Sequence, residues 1–276
     1  MNYRPLCVLA ACASVAGSGA LAAPTTAPAP RIDVSQFPKE AKLVDDVVVP
    51  VPSEVFAVLD KLGKPAWTEV LRPLKGVATP TGGREQISLM LGSIIAEGFI
   101  AVEAENTQEV KHIGNSVRSL AKAIGVEKAL NRRANSIVEY ADKHRWQEVR
   151  KELDMALFDV RQAMLELDSE PLAQLVSLGG WLRGTEALCQ VVSKEYTRDG
   201  AELLHQPVLA EHFDRRISLM PPRSSEQPLV SKIQKGLREI RPMMGNGDGS
   251  AISEKTVREI GKRCSDLVAL IQAKAK

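Results

Sequence analysis

Signatures of catalysis are what this sequence has least of. It has no Gly-x-Ser-x-Gly turn, and none of its four histidines lies in the context of an activated Ser or Cys nucleophile. Thr81-Gly-Gly-Arg84 has the glycines of a phosphate-cradling loop but neither its flanking strand nor its lysine. Strand signals are nearly missing: the one extended candidate, Val47-Val48-Val49 with Pro50, Val51 and Pro52, carries prolines that bar a central ladder position and reads as a strap. No period of about 20 to 50 residues recurs, which excludes the solenoid repeat families. Net charge is also small, +2 for the whole chain, and implies neither a polyanionic nor a polycationic partner.

What the chain does have begins at its N-terminus. Arg4 precedes an uncharged run from Leu6 to Ala23, and Ala20-Leu-Ala22 forms a small-x-small site, the arrangement of a cleaved secretory signal. The glycines and serines in the run argue against a retained membrane anchor. Leu9-Ala10-Ala11-Cys12 also looks like a bacterial lipobox, which would leave the protein anchored through a lipidated Cys12. The apolar stretch before that cysteine is at the short end of the roughly 7 to 15 residues such a region uses. A cut after Ala22 is therefore expected, giving a soluble, exported, periplasmic or extracellular chain. Residues 1–22 are then a signal peptide and 23–45 a disordered tether rich in proline and alanine.

The rest reads as helix after helix. Residues 46–220 suit an irregular all-α bundle, and 221–276 a linker with a C-terminal helical hairpin packed on it. Helices are expected near 53–62, 65–71, 84–104, 107–124, 126–143, 145–167, 171–196, 207–217, 228–240 and 253–271, with Asp199 capping a further turn. The segment from Arg84 to Ala104 is apolar round its whole circumference, the mark of a helix buried by neighbours; a membrane-spanning reading fails on its length and on Glu97. The helix after Pro171 has two apolar faces, and Gly180-x-x-x-Gly184 would let one neighbour approach closely.

Two Glu-x-x-His pairs, Glu109/His112 and Glu202/His205, invite comparison with carboxylate-bridged metal bundles, where Glu97 and Glu186 would supply the remaining ligands. Direction argues against it. His112 lies roughly 130° from the centre of its helix's apolar stripe at 100° per residue, and Pro207 disturbs the helix holding His205. No metal and no cofactor are expected. Glu97 is the one acid in the middle of an otherwise apolar helix, so it needs a partner, and Arg183 suits a carboxylate best through two parallel N–H donors. Glu97, Trp181, Arg183 and Glu186 could line a small ligand pocket, or the acid and the arginine could form one buried structural pair, the reading preferred here.

Cys189 and Cys264 occupy apolar helical positions, where two exported cysteines either pair as a disulfide or pack as small hydrophobes. Between Arg215 and Arg241 seven Lys or Arg stand against two Glu, but without interleaved aromatics this stripe is a solvated face and not a specific nucleic-acid site. The residues resemble no family of known function. The expectation is an exported bacterial envelope protein, a non-catalytic helical binding or structural module that engages another envelope protein or a small ligand. The alternatives are an enzyme or ligand-binding protein with its pocket at Glu97, or a metal protein.

Overall fold

The computed structural model describes residues 66–74, 76–245 and 250–273, and the signal, the tether, the 47–52 strap and the helix expected near 53–62 lie outside them. The elements in chain order are α1 (Trp67–Val70), α2 (Arg84–Glu103), α3 (Thr107–Ala123), α4 (Glu127–Asp142), α5 (Trp146–Glu166), α6 (Glu170–Lys194), α7 (Arg198–Glu202), α8 (Pro207–Ser218), α9 (Pro222–Ser225), α10 (Pro228–Ile240), a 3-10 turn (Arg241–Met244) and α11 (Glu254–Gln272). No strand occurs among the described residues, and the all-α bundle is the observed class.

Proline and hydroxyl chemistry start several helices where the sequence places them. Proline stands in the first turn of α6, α8, α9 and α10, where its missing N–H costs nothing. The Ser253 hydroxyl accepts from the Thr256 amide to cap α11. At α7 the expectation was off by two residues: Thr197, not Asp199, caps it by accepting from the Gly200 amide at 3.0 Å.

The turns joining α2 through α6 are all built alike. A residue in the left-handed region, Glu105, Gly125, His144 or Asp168, follows each helix end. The next amide then reaches back to a carbonyl five residues earlier: Asn106 to Ala101, Val126 to Ala121, Arg145 to Tyr140 and Ser169 to Met164, all at 2.8–2.9 Å. This is the Schellman closure, and in each case the donor is also the N-cap of the following helix. Such tight links make consecutive helices antiparallel neighbours. Only one of the four left-handed positions is glycine, so the strict punctuation is invisible to a search for glycine stops.

α2 and α6 form the centre. Every residue of α2 from Ile87 to Val102 is buried, by α6 on one side and by α3 and α5 on others. α2 does have the length and apolar composition of a membrane-crossing helix, so length does not exclude that role as expected; 89% of its most apolar window is nevertheless covered by neighbouring helices. Of the two glycines expected at the close approach, Gly180 is there, facing Gly92 beside Gly179, and Gly184 is not. A Cβ on Gly179 would overlap the Leu89 carbonyl and one on Gly92 the Val176 carbonyl, whereas one on Gly184 would meet nothing within 4 Å. Only backbone against backbone fits where α2 crosses α6.

The opposite face of α6 receives α11, where a Cβ on Gly261 would come within 2.8 Å of the Cys189 Cβ. α11 packs more extensively on α6 than on its sequence neighbour α10, which lies mainly against α8. The terminal segment therefore completes the core.

Candidate functional site

Four charged side chains meet where α1, α2, α6 and α11 converge. Glu97 projects from α2, Arg183 and Glu186 from α6, and Arg72 from the irregular segment after α1. Arg183 is fully buried, Glu186 is 1% exposed and Glu97 3%. The Arg183 Nε donates to Glu97 Oε2 at 2.6 Å, and Glu97 Oε1 accepts the backbone N–H of Arg72 at 2.5 Å. A second Arg183 nitrogen donates to the Val70 carbonyl at 2.8 Å. The Arg72 guanidinium pairs with Glu186 Oε1 and donates to the Ser265 hydroxyl of α11 at 2.9 Å.

Two guanidinium cations therefore face two carboxylates, and the local charge closes. Both oxygens of Glu97 are occupied, which meets the demand that burial of a carboxylate creates. The fit is looser at Glu186: its Oε2 faces Arg183 Nη1 at 3.6 Å, too far for a hydrogen bond, and neither atom has another partner among the described residues. Burial pushes the Glu186 carboxyl above the usual glutamate range, against the pull of Arg183, Arg72 and Ser265, and the nearby Glu97 charge pushes it the same way.

Glu97 is one of three buried side chains that hold the chain after α1 in place. Glu109 Oε2 accepts the Leu74 amide at 3.2 Å, and the Ser116 hydroxyl accepts the Ala78 amide at 2.9 Å. An irregular segment has no ladder for its N–H groups, so α2 and α3 supply acceptors one by one. Glu109, half of the first Glu-x-x-His pair, is thereby engaged, while His112 turns outward with its side chain 53% exposed and its Nδ1 3.7 Å from Glu109. In the second pair Glu202 is exposed, and His205 packs its ring beside Gly245. Among the described residues no three His, Cys, Asp or Glu side chains gather in a way that would hold a metal ion.

Trp181 does not join the cluster. It lies about 200° round α6 from Arg183 at 100° per residue, where its indole N–H donates to Gln206 Oε1 at 2.8 Å and its ring stacks 5.5 Å from Phe213. Arg72 and Ser265 are members that sequence reasoning missed. An arginine before Pro73 in a loop has no periodic pattern to announce burial, and Ser265 looks like any polar residue of an amphipathic helix.

Cys189 and Cys264 are buried as free thiols in the α6–α11 interface. Burial raises the pKa of both, reinforced at Cys264 by Cys189 and at each by the Glu186 carboxylate. Separately, a cavity of about 40 Å³ with an apolar wall lies between α2, α3, α4 and α5.

Compared with models of protein families, with curated proteins and with solved structures, the chain matches none of them.

Proposed function

We propose that this is an exported bacterial envelope protein whose helical bundle is a non-catalytic binding or structural module, with the Glu97 cluster as its internal clamp. The observation that supports this most is the occupancy of Glu97. A general acid or base must reach the proton it moves, yet both Glu97 oxygens are spent on Arg183 and on the Arg72 amide inside a sealed interior. Together with the Arg183–Val70 and Arg72–Ser265 hydrogen bonds, these contacts tie α1, α2, α6 and α11 together, which is work that a fold needs and a substrate does not. Export rests on the Arg4 n-region and the Ala20-Leu-Ala22 site.

The deciding experiment compares Glu97→Gln with the unsubstituted protein. A clamp requires a lower melting temperature and no change in any co-purifying small molecule. A variant that melts normally and loses such a molecule would instead establish a ligand pocket at Glu97. Intact-mass analysis of the exported chain tests the other half: a first residue of Ala23 is expected, and a diacylglyceryl group on Cys12 would replace free export with a lipid anchor.

A further inference from the structure

We propose that the cavity between α2, α3, α4 and α5 is a binding site for a short-chain monocarboxylate, with the hydrocarbon tail in the cavity and the carboxylate on Arg118. The cavity is separate from the Glu97 cluster, so its failure as a site leaves the clamp reading untouched, and the reverse.

The floor is buried and wholly apolar, with Ile95, Ile113, Leu130 and Leu153 prominent. Gly114 leaves room where a side chain would stand, whereas a Cβ on Gly98 would come within 3.2 Å of the Ile113 side chain. Half-buried residues make the rim, and Arg118 is, among the described residues, the single charged one of the lining. At about 40 Å³ the space exceeds the roughly 10 to 15 Å³ one water requires, but an apolar wall offers water no partners. A hydrocarbon tail of about three or four carbons fits this volume and leaves water on entering.

Arg118 identifies the head group. Two nearby arginines of this half of the bundle are matched with acids: Arg133 reaches Asp159 at 2.9 Å and Glu152 at 3.2 Å, and Arg150 pairs with Glu103. Among the described residues no carboxylate pairs with Arg118, and its Nε is buried without an acceptor. A guanidinium held at an apolar rim without a counter-ion is an unmet electrostatic demand. One planar anion of single charge answers it, because two parallel N–H donors match the two oxygens of a carboxylate. Tail and head together specify butyrate or valerate as the ligand.

The test is calorimetric titration of the purified protein with sodium valerate, with acetate and 1-pentanol as comparisons, alongside thermal melts. Valerate should bind at one site and raise the melting temperature, with acetate lacking the tail and pentanol lacking the charge each about tenfold weaker or worse. Arg118→Gln should weaken valerate about tenfold and abolish its advantage over pentanol. Gly114→Leu, whose side chain grows from a position with nothing within 4 Å, should block binding while unfolding stays cooperative. If that variant fails to fold, the rim substitution Arg118→Gln carries the test alone. No heat and no thermal shift with valerate, equal binding of pentanol, or unchanged binding in Arg118→Gln each overturns the proposal.

Discussion

Arg183 and Glu97 join the two central helices by a hydrogen bond of 2.6 Å in a place where both side chains are buried. Glu97→Ala leaves the arginine buried without this partner and should destabilise the fold by about 3 to 5 kcal/mol. In urea unfolding of Glu97→Ala, Arg183→Ala and the double variant, the losses should be strongly non-additive. Simple additivity would mean that the pair does not act as a unit.

The α2–α6 crossing makes opposite forecasts for two glycines on one helix. Gly179→Ala drives a methyl into the Leu89 backbone, which cannot step aside, and should cost about 1 to 3 kcal/mol or more. Gly184→Ala meets open space and should stabilise by roughly 0.5 to 1 kcal/mol through helix propensity. Equal effects at the two positions would show that the helices do not cross there.

Left-handed Glu105 and Asp168 close helices in a conformation that favours glycine, and both are exposed. Glu105→Gly and Asp168→Gly should therefore each stabilise by on the order of 0.5 to 1 kcal/mol, the relieved backbone penalty less the extra entropy of an unfolded glycine. Gly125→Ala, at the equivalent third turn, should move stability the other way. Thermal melts of the three variants check the common geometry.

Glu186 imposes a pH dependence. Its folded carboxyl holds a proton more tightly than the ordinary value of 4.5, so between that pH and the raised value the folded state binds more protons than the unfolded one. Stability contributed by the protonated group is complete below this window and falls as pH rises through it. Unfolding free energies followed against pH should fall less steeply for Glu186→Gln than for the parent, and parallel curves would assign the slope to other groups.

Both core thiols should resist alkylation. Burial suppresses the thiolate at Cys189 and Cys264, so iodoacetamide at mildly alkaline pH should leave their peptides unmodified in the folded protein and label both after denaturation. Rapid labelling in the native state would show that the α6–α11 interface opens.

Much of this protein is local in origin. Apolar residues spaced at the helical period, prolines at helix starts and the Ser253 cap act within one or two turns, and so they are legible in order along the chain. The all-round apolarity of α2 implied its central place, and the one acid in its middle implied a buried cation, since an unpaired carboxylate cannot be tolerated there. Arg183 followed because it was the cation on the other helix with two apolar faces.

Packing decided the rest. Arg72 meets the Glu97 and Glu186 carboxylates from 25 and 114 residues away, and nothing within a turn of it foretells that meeting. Whether Gly179 or Gly184 carries a helix contact depends on where along α6 the other helix crosses, which no local pattern of small residues specifies. The cavity beside Arg118 is likewise a gap among four helices, and it exists only where their side chains fail to fill the space between them.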